Sequence, residues 1–314
     1  METLAFTITA TTSYESAAAL LNKLGHQADD SSLQDLAQSL GQRAELEVQH
    51  RLKQLPQEQE PQRAGSALAV LMLDGWQVRQ RGPGWGRKKT TQSRVEWHEL
   101  KTGVFYLQEH RARKNDRGVL SQKAVVSWQG EPMELGRRLH QEACERGLGR
   151  AKAKLTVADG APWIWNVVQN RWPGATEVLD FYHASQHLWD LGEAVQGTRE
   201  LARGWVEKKL HQLRHGRQAQ ALRDIAALPK RGGPAGQIIR REQNYFAEHA
   251  RRMNYQTIAR RGWPIGSGAV ESACLQRQGR FKRSGQFWTD RGLANLGALI
   301  EARQNGHWNK LWNS

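Results

Sequence analysis

The chain has 314 residues, 39% of them hydrophobic and 25% charged, which is the balance of a globular protein with a real core and excludes a disordered one. Lys and Arg outnumber Asp and Glu by 46 to 31, a net charge of +15 that favours polyanionic partners, nucleic acid before a membrane surface. There is no unbroken apolar run of membrane-spanning length, no basic-then-apolar leader at Met1, and no Cys-x-x-Cys pair around Cys144 and Cys274. Membrane insertion, secretion, a zinc finger and a disulfide framework are therefore not expected, and a cytoplasmic location is.

Residues 13–56 have helical spacing. One short helix from Tyr14 stops at Gly25; a second, N-capped by Ser32, carries Leu33, Leu36 and Leu40 and closes at Gly41, a pair that suits a helix-turn-helix or any helical hairpin. Residues 55–65, with two prolines among Gln and Glu, read as a linker. Strand-like stretches follow at 68–73, 76–81, 94–98, 103–110 and 123–128, then a helix over 131–146 and a strand over 155–158. Pro162 suits the first helical position of a helix over 163–172, and 175–181 is the next strand. Strands before and after helices predict an α/β fold with a mixed sheet.

Residues 184–261 change character: almost all are helix-compatible, and cations recur in pairs at Lys208-Lys209, Lys230-Arg231, Arg240-Arg241, Arg251-Arg252 and Arg260-Arg261. Each pair alone fits a solvated helix face; five in one segment suggest a nucleic-acid surface. A further helix starts near Ser267 and carries Glu271.

Two apolar runs end on the same dipeptide, residues 68–73 on Asp74-Gly75 and residues 155–158 on Asp159-Gly160. Asp159 precedes a helix and so falls at a strand's carboxyl end, where open sheets bind ligands. Asp74-Gly75 also fits a type I′ hairpin turn, and Glu271 alone fits a helix-start acid. Taken together, three such carboxylates are what a two-metal phosphoryl-transfer site needs, because magnesium takes hard oxygen ligands and keeps several waters. No Walker motif and no Gly-x-Ser-x-Gly elbow is present, which argues against a nucleotide-driven motor and a serine hydrolase.

In order, the stretches Met72-Leu73-Asp74-Gly75, Val157-Ala158-Asp159-Gly160-Ala161-Pro162-Trp163, Leu179-Asp180-Phe181-Tyr182-His183-Ala184 and Trp263-Pro264-Ile265-Gly266-Ser267-Gly268-Ala269-Val270-Glu271-Ser272 resemble the DDE transposases of bacterial insertion sequences. Within them they look most like the ISKra-type group of the Mutator-like superfamily, over residues 66–312 and with a shortened N-terminal region. The resemblance implies a ribonuclease-H-like mixed sheet core, with Asp74 on the first strand, Asp159 on the fourth and Glu271 on a helix after an all-helical insertion. It also answers the hairpin objection, because in that fold the first strand turns into an antiparallel neighbour. The implied division is a helical N-terminal region at 1–62, the first part of the core at 63–183, the basic insertion at 184–262 and the helical remainder at 263–314.

On the same resemblance Asp74, Asp159 and Glu271 are the catalytic and metal-binding residues for two Mg2+ ions, for which Mn2+ would substitute, and Asp180 and His183 form a motif beside them. His183 and His187, four apart on a helix, could share a metal, though no third soft ligand is evident. The 13 tryptophans include Trp76, Trp163, Trp165, Trp263 and Trp288 near these motifs, for which burial in the core is the plainer role. Trp163 is the best candidate for stacking on a base, and Arg277, Arg280, Lys282 and Arg283 are candidate phosphate contacts. The expected activity is cleavage at insertion-sequence ends and strand transfer to target DNA, by a homo-oligomer assembled on double-stranded DNA, without a membrane partner and nucleoid-associated when bound. A structure-specific nuclease on the same fold and a non-catalytic DNA-binding remnant are the alternatives.

Overall fold

A computed structural model of the protein describes residues 1–54, 67–114, 117–229 and 231–312. The chain divides into two units: Met1–Lys154 with Asn170–Trp172 and Ala269–Ser314, and Leu155–Gln169 with Pro173–Gly268. The division falls inside a strand, whereas the change in composition comes at residue 184.

The first unit opens with helices α1 (Glu2–Ala10), α2 (Tyr14–Lys23) and α3 (Asp30–Lys53). The expected pair of short helices is corrected here. The second is N-capped by Asp29, whose carboxylate accepts the Ser32 amide, and it runs straight through Gly41 for 24 residues. Gly41 is no stop: a Cβ there would overlap the backbone at Asn295. The expected linker at 55–65 lies outside the described residues.

Strand β1 (Ala67–Arg81) pairs antiparallel with β2 (Val95–Leu107), so the strand-like stretches on either side of Asp74-Gly75 form one strand. The turn reading of Asp74-Gly75 is thereby overturned, since Asp74 lies opposite Thr102 in mid-ladder. Residues 67–73 are buried throughout, as in a strand covered on both faces, and beyond them burial becomes irregular as the hairpin extends outward. A small antiparallel ribbon follows, β3 (Arg111–Lys114) with β4 (Arg117–Leu120). Then come β5 (Ala124–Gln129), antiparallel to β2, helix α4 (Pro132–Glu145), and β6 (Ala151–Ala158), which runs from the first unit into the second.

After β6 come α5 (Pro162–Arg171), opened by Pro162, and β7 (Thr176–Leu179), parallel to β6. The expected strand over 175–181 is shorter than anticipated, because Asp180 turns the chain by N-capping α6 (Phe181–Gln196). One mixed sheet has the order β5-β2-β1-β6-β7, with β6 the fourth of its five strands along the chain. The rest of the second unit is helical: α7 (Arg199–Arg214), α8 (Gln218–Ala226), α9 (Gly233–Glu248) and α10 (Tyr255–Arg260).

The chain then enters α11 (Gly268–Phe281) and α12 (Asp290–Gln304). Helix α12 covers the outer edge of the sheet. The side chain of Asn305 accepts the Val125 amide at 2.9 Å and donates to the Val125 carbonyl at 3.0 Å, and Glu301 accepts the Ser127 amide at 2.7 Å. Edge strands left bare template association, and these two side chains, one turn apart, occupy the open backbone groups of β5. No helix among the described residues is long and apolar enough to cross a membrane.

Candidate active site

Asp74 and Glu271 both belong to the first unit. Asp74, half-buried on β1, accepts the Gly75 amide at 2.7 Å and is hydrogen-bonded by the Cys274 thiol, which also meets Thr102. Burial, and next the Asp74 charge, push that thiol up to about 12, so it stays protonated and donates to the carboxylate. Glu271 lies one turn before Cys274 on the same face of α11. The helix thus brings Glu271 to the part of β1 that carries Asp74, although 196 residues lie between the two in sequence. Behind them, Trp76 donates its indole N–H to the Thr102 hydroxyl at 3.1 Å, and Thr102 and Ser127 share a hydrogen bond of 3.1 Å. The acids therefore back onto a fixed polar core.

Asp159 and the Asp180–His183 motif belong to the second unit. Asp159 follows β6 directly, half-exposed, with its carboxylate accepting the Ala161 amide at 3.0 Å. The Asp159 carbonyl accepts the Tyr245 hydroxyl at 2.9 Å. Burial first, then the Asp159, Glu242 and Asp180 carboxylates, raise Tyr245 well above the usual phenol range and keep it a donor. Gly160 holds φ at +105°, and a Cβ there would lie 2.8 Å from His249 Nε2, so only glycine fits. Burial is the main cause holding His249 below the ordinary imidazole value. Because Arg252 donates to its Nδ1 at 3.1 Å, the neutral ring carries its proton on Nε2, toward Gly160.

Asp180 is fully buried and takes its bonds from backbone: Oδ1 accepts the His183 amide at 2.7 Å and Oδ2 accepts the Ser267 amide. Burial pushes its carboxyl up, but the hydrogen bonds from His183 and Ser267 outweigh that and hold it below the usual range. The main-chain amide of Asp180 donates to Ala158 at 2.7 Å and that of Phe181 to Ile265 at 3.0 Å. Asp180 is therefore the tie between β6, α6 and the segment leading to Ser267. His183 Nδ1 lies 3.3 Å from Asp180, while His187 Nδ1 meets the buried Glu242 at 2.6 Å and its ring stacks on Tyr245. Their different carboxylate partners give no support to a shared zinc site. Glu242, Tyr245 and His249 were missed by sequence reasoning; their three- and four-residue spacing on α9 and its cap was the available signal.

The expected phosphate contacts divide. Arg277 and Arg280 are corrected to buried positions, 2% and 5% exposed. Arg277 faces Glu301, and the Arg280 guanidinium lies over the rings of Tyr14 and Trp288. Lys282 and Arg283 are exposed, and Lys282 lies 5.7 Å from the exposed Trp97 ring. Beside them Arg79 stacks on Trp97 and Phe287, Arg81 on Trp85, and the hairpin tip adds exposed Arg87, Lys88 and Lys89. Cations therefore alternate with aromatic rings across this face.

The paired cations of the second unit are partly structural. Lys209 is buried on Asp224, Arg241 pairs with Glu242 and Asp190, and Arg252 pairs with Glu177 over the Trp165 ring. Lys208, Arg231, Arg240, Arg251, Arg260 and Arg261 remain exposed, and Lys230 lies outside the described residues. Trp76, Trp165 and Trp288 are core residues, whereas Trp163 and Trp263 are half-buried.

Acidic and histidine side chains that could hold a metal ion do cluster in the first unit, at Glu142, Glu145 and His307. That group is already neutralised: Arg51 reaches both glutamates, and Arg146 and His307 reach Glu142. A cation would have to displace two guanidinium groups there. Asp74 and Glu271 also offer carboxylate oxygens, the ligand type that hard divalent cations take. Compared with models of protein families and with curated proteins, the sequence matches none.

Proposed function

We propose that the chain is a DDE-type DNA transposase resembling the ISKra-type group, built on a ribonuclease-H-like core with residues 184–262 as the helical insertion. The observation that carries this reading is the approach of Glu271 to Asp74 through Cys274. Two acids far apart in sequence, one in mid-strand and one on a late helix that packs on that strand through Cys274, suit the first and third members of the resemblance. Asp74 and Glu271 would hold Mg2+ or Mn2+, which when bound supplies Lewis-acid stabilisation of the attacking and leaving oxygens, and Asp159 is the remaining acid that the resemblance assigns.

The chain's own residues orient these acids. Cys274 fixes the Asp74 carboxylate, and Tyr245 and the Ala161 amide fix the backbone and carboxylate of Asp159. The face formed by Arg79, Trp97, Lys282 and Arg283 would hold double-stranded DNA, with a second copy of the chain on the other element end. The test incubates the protein with labelled duplexes from the DNA flanking its gene, in Mg2+ or Mn2+. Joined products support the transposase, cut but never joined products identify a nuclease, and shifted intact DNA identifies a binding remnant. Asp74→Asn, Asp159→Asn and Glu271→Gln should each abolish cleavage while retaining the band shift.

A further inference from the structure

Within the first unit, the outer half of the β1–β2 hairpin and the turn between α11 and α12 carry a linked row of cations and rings. Lys282 Nζ lies 5.7 Å from the Trp97 ring and the Arg79 guanidinium 5.9 Å from it, and Arg79 also lies 5.1 Å from the Phe287 ring. Phe287 meets Trp85 at 4.8 Å between ring centres, and the Arg81 guanidinium stands 5.4 Å from Trp85. Backbone holds the row together as well. The Arg81 amide donates to the Trp288 carbonyl at 2.9 Å and the Trp288 amide to the Arg79 carbonyl at 3.2 Å. Arg79 Nη2 donates to the Arg283 carbonyl at 2.6 Å. Hairpin and turn are thus joined as one platform before a ligand arrives, which lowers the ordering cost of binding.

Charge and exposure narrow what this platform takes. From Arg79 to Trp97 the chain has six cations, Arg79, Arg81, Arg87, Lys88, Lys89 and Arg94, against the single acid Glu96, and residues 280–289 add three cations and no acid. Such a field attracts a polyanion. A ligand gripped only by its phosphates needs no rings, yet Trp97 is 55% exposed and Trp85 39%. Even with two cations beside it, more than half of Trp97 faces solvent. In a duplex the base faces are stacked on one another and closed to a side chain. An unpaired base offers its flat face to an exposed indole, whatever its identity. We infer that this row binds an unpaired strand of DNA, its bases stacking on Trp97 and Trp85 and its phosphates meeting Lys282, Arg283 and the Arg87-Lys88-Lys89 tip. The inference rests on the transposase reading for DNA as the partner, and adds unpaired nucleotides to the duplex held at this face.

Fluorescence anisotropy of the full chain, in EDTA so that no strand is cut, compares labelled probes of equal length: an oligothymidylate, the same strand without its bases, and a blunt duplex. The oligothymidylate should bind about tenfold more tightly than the abasic strand, which keeps the phosphates but has nothing to stack. Trp97→Ala should remove most of that difference and Trp97→Phe should restore part of it, with the salt dependence unchanged in both. Lys88→Gln combined with Lys89→Gln should instead flatten the salt dependence and weaken all the probes. Melting curves establish that each variant is folded. Equal affinity for the abasic and thymidylate strands, or a folded Trp97→Ala protein that keeps the difference between them, would overturn the inference. So would a loss in Trp97→Ala that is the same on strand and duplex. Because the assay reads binding alone, a chain that stacks an unpaired strand but never cleaves sinks only the transposase reading, and one that cleaves and joins while ignoring the bases sinks only this one.

Discussion

Cys274 hydrogen-bonds the Asp74 carboxylate from α11, one turn beyond Glu271, and in doing so seats a late helix against the middle of β1. The thiol is buried and its ionisation is pushed up to about 12, so at neutral pH almost none of it is thiolate. Thiol reagents attack the thiolate. Cys274 should therefore resist labelling in the native protein and react only on unfolding, as read by peptide mapping after timed exposure to iodoacetamide. Rapid native labelling would contradict this packing.

Asp180 makes a different prediction, because its carboxylate is spent on structure. Asp180→Ala removes an N-cap and leaves the buried Ser267 amide without its acceptor. The cap is worth about 1 kcal/mol and the orphaned amide about 1–3 kcal/mol, so a loss of roughly 2–4 kcal/mol is expected in urea unfolding. Since the folded carboxyl is held below its ordinary value of 3.8, the stabilisation is present above that pH and fades as pH falls through the lower folded value. The wild-type advantage over Asp180→Asn should shrink below pH 4, and an advantage constant with pH would rule this out.

Much of this arrangement was legible in the sequence, and the failures have physical causes. The apolar run before Asp159 and Pro162 after it marked a strand end and a helix start, because both signals are local. Asp74-Gly75 misled as a turn because strand continuation depends on a partner: Thr102 and the β2 ladder hold β1 straight through it. Arg277 and Arg280 were assigned to a surface by their charge alone. Yet Val270, Cys274, Arg277 and Phe281 recur at three and four residues on α11, the period of a buried stripe, and that pattern outranks residue type. Tyr245 and His249 reach Asp159-Gly160 from 86 to 90 positions downstream, a meeting that only the folded chain defines.

Glu301 should impose a pH dependence of opposite sign to that of Asp180. Burial, opposed by Arg277 and the Ser127 amide, raises its carboxyl from 4.5 to about 7. The native state therefore holds a proton that the unfolded chain releases at lower pH. Its contribution is fully present below pH 4.5 and is lost as pH rises through 7, a change on the order of 3 kcal/mol. Subtracting the unfolding free energies of Glu301→Gln from those of wild type should leave a falling slope between pH 4.5 and 7. A flat difference would mean that Glu301 titrates normally.

Asn305 tests how the sheet edge is closed. Its amide meets both backbone groups of Val125, and both of those bonds are buried. Asn305→Leu leaves two buried backbone groups without partners, at about 1–3 kcal/mol each before relaxation. It also opens the β5 edge to another chain. Lower stability should be accompanied by concentration-dependent association in sedimentation velocity. Asn305→Asp keeps the acceptor for the Val125 amide but loses the donor to its carbonyl, and should fall between the two. Were Asn305→Leu as stable and as monodisperse as wild type, α12 would not be guarding this edge, and the Glu301 contact to Ser127 would have to do so alone.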